Sequence, residues 1–267
     1  TKIIFEGPEN KLNSTENTQP AVFLASYCIF EIIKKEFGYD FKKFKYFAGH
    51  SLGEYSALAC VGSISFEDTL KILQKRGKFM QEAVPSGEGA MLAVLGMASK
   101  ELDKIIETNK KKYECFIAND NSNLQVVVSG LKKDINLLSD DLTNKKVKNL
   151  KLNVSAPFHC KYMKTASEKM TNYINDLNMS ELEKPIISNV TANETSSSKE
   201  IKSLLISQIE KKVRWLESVE YMINNGVKNF VEIGPGKVLT GLIKRINKNV
   251  NVNSINSEED IKLLIND

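Results

Sequence analysis

A serine set between two glycines is the most chemically suggestive feature of this chain: Gly49-His50-Ser51-Leu52-Gly53. The apolar run Tyr46-Phe47-Ala48 before it reads as a short strand, and the small-residue stretch Glu54 to Cys60 after it reads as a helix. That setting is the nucleophile elbow, in which a strained strand-to-helix turn presents the serine hydroxyl and flanking glycines let neighbouring backbone approach. The N-terminus of the following helix aims backbone N–H groups at the site, and the Leu52 N–H is the natural donor to an oxyanion. The five-residue pattern also arises by chance, so the strand and helix around it carry the argument for Ser51.

A serine nucleophile needs a base, and histidine is the usual one. The chain holds two histidines, His50 and His159. His50 adjoins Ser51, and on a sharp turn its side chain leaves on a different side from the hydroxyl. His159 lies in Ser155-Ala156-Pro157-Phe158-His159-Cys160, where a strand gives way to a helix and functional groups of α/β domains collect. That makes His159 the better base. No strand-end carboxylate falls between Ser51 and His159, so a dyad is expected, with a neutral acceptor holding the imidazole. Arg76 sits at the edge of the apolar stripe Phe66, Leu70, Leu73, Met80. A buried guanidinium requires a partner: either a structural ion pair or a substrate carboxylate gripped by two N–H groups.

The elements that position these residues follow from periodicity. An apolar helical pattern runs from Gln19 to Phe37, ending at Gly38, and a second helix opens at Ser65 with Asp68 completing a capping-box-like start. Residues 86–154 read strand–helix–strand–strand–helix–strand, with the polar stretch Asn119 to Asn123 between the middle strands. That order is the split βαβ, ferredoxin-like arrangement. Further on, Lys161–Leu177, Ser198–Trp215, Glu217–Asn224 and Val238–Ile246 read as helices, and Ile186–Val190 and Phe230–Ile233 as strands. The expected fold class is α/β, a hydrolase-like parallel-sheet domain (residues 1–85 and 155–267) with an inserted ferredoxin-like subdomain (residues 86–154). Gly234-Pro235-Gly236-Lys237 lacks the spacing of a phosphate loop and reads as a tight turn. The basic run Lys145, Lys146, Lys148, Lys151 reads as a solvated face, with a docking surface for an acidic carrier as the alternative.

Composition excludes several classes of function. The 267 residues are 42% hydrophobic and 26% charged, ordinary for a globular protein. Apolar runs fall far short of a membrane span. A net charge of +4, scattered along the chain, argues against nucleic acid and suits an acidic or phosphate-bearing partner. Cys28, Cys60, Cys115 and Cys160 show neither CxxC pairing nor metal-ligand spacing. Reduced thiols point to the cytoplasm, or to the plastid or mitochondrial matrix in a eukaryote.

Taken together, the motifs resemble those of the malonyl-CoA:acyl-carrier-protein transacylases. The matching stretches are Thr18-Gln19-Pro20-Ala21, Ala48 to Leu58, Arg76 to Gln81, Gly89-Ala90-Met91, Ala156 to Cys160 and Glu232 to Leu239. The resemblance implies that Ser51 carries a malonyl ester, with His159 as its base and the Gln208 backbone carbonyl as the acceptor that orients it. It implies Arg76 as the clamp on the malonyl carboxylate, assisted by His50. Asn119 and Asn121 match residues lining the cleft, and Phe158 is similar to the malonyl-selective form of its motif. Malonyl-CoA and acyl carrier protein are the implied partners, with no cofactor and a monomeric chain. Family members open with a GQGSQ-type turn that supplies a second oxyanion donor, and the non-Met start at Thr1 leads us to expect such a segment upstream. Two other readings stand beside this one: a serine hydrolase or thioesterase, and an inactive module that binds carrier protein.

Overall fold

The computed structural model describes residues 2–154 and 156–266, so Thr1, Asp267 and Ser155, the first residue of the histidine motif, lie outside the described residues. Helices α1 (Lys2–Glu6) and α2 (Glu9–Leu12) lead into the long α3 (Thr15–Lys35). Helix α3 starts four residues earlier than expected, because Pro20 is accommodated inside it. It buries Gln19, Phe23, Phe30 and Ile33. Strand β1 (Phe47–Ala48) and helix α4 (Leu52–Cys60) flank Ser51, as the motif predicts.

Helix α5 (Phe66–Gln81) is capped where expected, with the Ser65 hydroxyl oxygen accepting from the Asp68 N–H at 3.0 Å. Its buried face is Thr69, Ile72, Leu73, Arg76, Gly77 and Met80. These positions follow one helical stripe. Arg76 therefore lies in the middle of the buried face, not at its edge. The predicted stripe was rotated because Phe66 and Leu70, though apolar, are only partly buried.

Residues Gly89 to Lys151 supply β2 (Gly89–Leu95), α6 (Ser99–Thr108), β3 (Cys115–Ser122), β4 (Gln125–Leu131), α7 (Lys132–Asn144) and β5 (Lys148–Lys151). The four strands form one sheet in the order β3-β4-β2-β5, and every neighbouring pair is antiparallel. Leu92, Val94, Val126 and Val128 meet Leu102 and Ile135 of the two helices in a separate core. The polar stretch expected between strands instead continues β3 as far as Ser122, fully buried. Two register irregularities bend the strand there. Its backbone is satisfied outside the sheet, since the Asp120 N–H donates to the Val213 carbonyl (2.9 Å) and the Val213 N–H to the Ala118 carbonyl (2.8 Å).

The remaining elements are α8 (Lys164–Asn175), β6 (Ile186–Ile187), β7 (Glu194–Thr195), α9 (Ser198–Gln208), α10 (Trp215–Asn224), β8 (Asn229–Ile233), α11 (Val238–Ile246), β9 (Asn251–Ile255) and α12 (Glu258–Asn266). The expected helix Ser198–Trp215 stops at Gln208, and the segment beyond it runs alongside β3. Parallel pairing is present, but in two pieces: β1 pairs with β6, and β8 with β9, while β7 is antiparallel to β6. Between the pieces runs a groove of about 1260 Å³ walled by Phe30, Phe47, Ala48, Phe230, Leu239 and Val252. Strand β1 is an edge of its sheet.

Candidate active site

Ser51 occupies a conformation that only a constrained turn sustains, with φ 53° and ψ −109°. Gly49 is why the turn closes: a Cβ there would lie 2.0 Å from the carbonyl carbon and oxygen of Gly53. Gly53 has no such role, since a Cβ on it would meet nothing within 4 Å. Close approach therefore requires the first glycine of the motif and not the second. Asn189, just beyond β6, braces the turn from both sides. Its Oδ1 accepts from the Ser51 N–H at 2.7 Å, and its Nδ2 donates to the Gly49 carbonyl at 2.8 Å.

His159 also sits in the left-handed region, at φ 58°, and this backbone turn aims its ring into the molecule. Its Nδ1 lies 2.8 Å from the Gln208 carbonyl oxygen and its Nε2 lies 2.8 Å from Ser51 Oγ. A carbonyl only accepts, so Nδ1 carries the proton and Nε2 is left to accept from the serine hydroxyl. Gln208 can provide that carbonyl because it is the last residue of α9, where helix carbonyls lose their intrahelical partners. Burial, reinforced by the nearby Arg76 charge, pulls the His159 pKa down to about 3. The ring is therefore neutral, and able to act as a base, across the neutral range.

Arg76, 1% exposed, reaches the same point from α5. Its Nη1 donates to Gln19 Oε1 at 2.7 Å, and its Nη2 to Ser51 Oγ at 3.0 Å and to Gln208 Oε1 at 2.9 Å. All three acceptors are neutral. The guanidinium also lies 5.4 Å from the centre of the Tyr55 ring. Burial lowers its pKa, opposed by Tyr55 and Glu54, and an arginine remains charged under such a shift.

His50 points away from the hydroxyl. Its Nε2 donates to Asn121 Oδ1 at 2.8 Å, and its ring lies 5.7 Å from Trp215, so its hydrogen bond serves Asn121 and not Arg76. Burial lowers its pKa, while the Asn121 bond works the other way. Asn119 and Asn121 are both buried on β3. Phe158 packs against the main core and against the buried face of the antiparallel sheet opposite its helices, and its carbonyl accepts from Ser129 Oγ at 2.6 Å. Leu52 is the first residue of α4, so its N–H has no partner within the helix. A cleft of about 870 Å³ opens beside His159, bordered by Phe116, Asp120, Lys161, Lys211 and Lys212.

Three buried polar residues of the site carried no role in the sequence reading: Gln19, Glu54 and Asn189. Gln19 and Glu54 had a readable signal, a polar side chain on the buried face of an apolar helix, which is the signal that singled out Arg76. Asn189 had none, because its place depends on how β6 lies beside β1. Among the described residues no cluster of His, Cys, Asp or Glu is arranged to hold a metal, and no helix is long and apolar enough to cross a membrane.

A hydroxyl, a neutral imidazole and a buried cation meeting at one atom support covalent acyl transfer through serine, and the class is that of the serine-dependent acyl-transfer enzymes. Comparison with known proteins narrows this. The acyl transferase domain family matches residues 1–264. The malonyl CoA-acyl carrier protein transacylase of Bacillus subtilis (strain 168) is 40% identical over 268 residues, 99% of this chain and 83% of that protein. The crystal structure of an acyl-carrier-protein S-malonyltransferase from Bartonella henselae is 40% identical, with a TM-score of 0.95 over 99% of this chain and 85% of that one. A malonyl-transacylase solved in complex with a type II polyketide synthase acyl carrier protein is 36% identical, with a TM-score of 0.94 over 99% of this chain and 85% of its own. The chain belongs to the malonyl CoA-acyl carrier protein transacylase family of acyltransferases.

Proposed function

We propose that this chain transfers malonyl from malonyl-CoA to the phosphopantetheine thiol of acyl carrier protein, through a malonyl-Ser51 ester, in fatty acid biosynthesis. Ser51 Oγ attacks the thioester carbonyl while His159 Nε2 takes its proton. The Leu52 N–H faces the developing oxyanion. Collapse of the tetrahedral intermediate breaks the C–S bond, and CoA leaves as the thiol with the proton held by His159. The carrier thiol then attacks the ester, giving its proton to the same nitrogen, which returns it to Ser51 Oγ. The two partners are the donor and the carrier that the relatives' names and the carrier complex indicate.

One observation carries the choice of acyl group. Arg76 is a buried cation at Ser51 whose three hydrogen-bond acceptors are all neutral, so it can accept a substrate carboxylate without first losing a protein carboxylate. Phe158 and Asn119 are read as walls of the acyl pocket, and His50 with Asn121 as its closure. In this reading the fold is hydrolase-like, residues 1–85 and 155–267 form the large domain, and residues 86–154 form an inserted ferredoxin-like subdomain. The antiparallel order β3-β4-β2-β5 supports that assignment. The chain is taken to act as a monomer in the cytoplasm.

Incubation with radiolabelled malonyl-CoA followed by peptide mapping tests the reading. Label is expected on Ser51, absent in Ser51→Ala, and discharged by carrier thiol faster than by water. Arg76→Ala is expected to lose malonyl transfer by at least a hundredfold while acetyl transfer falls less. Label discharged chiefly by water would instead identify a thioesterase.

A further inference from the structure

Beneath the Ser51 turn lies a carboxylate that takes no part in the proton transfers at Ser51. Glu54, in the first turn of α4, is 1% exposed. Its Oε2 accepts from Gln208 Nε2 at 2.7 Å and from the Asn189 N–H at 3.1 Å. A buried carboxylate is costly unless hydrogen bonds hold its charged form, and these two donors converge on one oxygen.

The other end of the Gln208 amide faces Arg76, with Oε1 accepting from Nη2 at 2.9 Å. An amide side chain has one donating end and one accepting end. The carboxylate only accepts and the guanidinium only donates, so a single orientation of the amide satisfies both. Gln208 also reaches the nucleophile and the base: Nε2 donates to the Ser51 carbonyl at 3.0 Å, and its own backbone carbonyl holds His159 Nδ1. Glu54, with the Ser51 carbonyl, thus holds the polarity of a residue that touches Ser51, His159 and Arg76 together.

The arrangement gives Arg76 a counter-charge at one remove. A carboxylate bonded directly to the guanidinium would compete with a carboxyl-bearing substrate, whereas a neutral amide between them transmits the attraction and keeps the binding nitrogens free of anions. We propose that Glu54 is a positioning residue: acting through the Gln208 amide, it holds Arg76 aimed at the acyl pocket and thereby sets the preference for carboxyl-bearing acyl groups. This rests on the acyl-transfer reading above. A plainer role also exists for Glu54, since its bond to the Asn189 N–H helps hold the brace on the Ser51 turn. That role affects every acyl group equally.

The two roles separate in a double-mutant cycle on the full chain. Glu54→Gln, Gln208→Met and the double variant are compared for kcat/KM with malonyl-CoA and with acetyl-CoA, acyl carrier protein being the acceptor. Each single variant is expected to lower the malonyl-over-acetyl ratio at least tenfold. The double variant should lower it no further, because both changes cut the same relay. Glu54→Asp, which keeps the charge, should recover part of the ratio. Equal losses with both donors, or additive losses in the double variant, would overturn the proposal. Should Glu54→Gln fail to fold by circular dichroism, Gln208→Met decides alone, since it leaves Glu54 and the Gln208 carbonyl in place; a wild-type ratio there sinks the relay. An unmodified chain that shows no malonyl preference would refute the function first, and the relay with it.

Discussion

At Ser51, two side chains from different parts of the chain meet at one oxygen atom, and their charges decide what that oxygen can do. His159 offers a neutral acceptor and Arg76 a positive donor; in the proposed reaction the hydroxyl proton leaves toward the imidazole while the guanidinium steadies the charge left on Oγ. The pH dependence follows from two buried groups shifted in opposite directions. Burial and Arg76 hold His159 near 3, so no limb at the ordinary histidine pKa is expected. Burial pushes Glu54 up to about 7, opposed by the Asn189 and Gln208 donors and by Arg76. Glu54 is therefore the group that changes charge near neutrality, losing its negative charge as the pH falls. Malonyl transfer should decline from pH 8 to pH 6 in the wild type and stay level, at a reduced rate, in Glu54→Gln. A kcat/KM profile with the same limb in both proteins would assign that limb elsewhere. For stability, His159 contributes above the unfolded value of 6.5 and loses this as pH falls toward 3; Glu54 contributes below 4.5 and loses this as pH rises through 7.

At the scale of the element, the site depends on where helices begin and end. Helix α4 begins directly after Ser51, which leaves the Leu52 N–H without an intrahelical acceptor, and α9 ends at Gln208, which frees the carbonyl for His159. The turn itself separates the two glycines of the motif. Gly49→Ala drives a Cβ into the Gly53 backbone at 2.0 Å, and the neighbour cannot give way without moving Ser51. We expect it to cost about 1–3 kcal/mol or more of stability and to abolish Ser51 labelling. Gly53→Ala should fold and label as the wild type does, because its added Cβ meets nothing within 4 Å. Urea unfolding midpoints and labelling of both variants check the contrast, and similar behaviour of the two would contradict it. Much of this scale was legible in sequence: the strand and helix around Ser51, the cap at Ser65 and the alternation in residues 86–154 follow local periodicity. The end of α9 was not, because residues 209–214 leave the helix and Val213 bridges to β3, a contact that Ser198–Trp215 alone does not encode.

Across the whole molecule, backbone and side-chain bonds and apolar packing join the antiparallel sheet to the remainder. Backbone bonds link Ala118 and Asp120 to Val213, and His50 Nε2 donates to Asn121 Oδ1 on the sheet. Removing the Asn121 acceptor leaves a buried imidazole N–H without a partner, which costs roughly 1–3 kcal/mol. Asn121→Ala should lower the melting temperature by roughly 3–10 °C for a chain of this size. An unchanged melt would show that the bond does not hold the two parts together. The two pieces of parallel sheet are a feature of this scale too. Their strands are readable as apolar runs, but which run lies beside which depends on packing between segments more than a hundred residues apart, as in the β1–β6 pair.

The sequence by itself singled out Ser51, His159 and Arg76, because each stands in a recognisable local setting: a serine between glycines, a histidine where a strand gives way to a helix, an arginine beside the apolar stripe of a helix. Tertiary structure alone decided how these are held. Asn189 bracing Gly49 and Ser51, Gln19 on Arg76, and Glu54 acting through Gln208 are contacts between segments that only folding brings together, and no periodicity records them. The physical reason is that a reactive group is specified by its own chemistry, whereas its orientation is specified by whichever donors and acceptors the surrounding fold buries beside it.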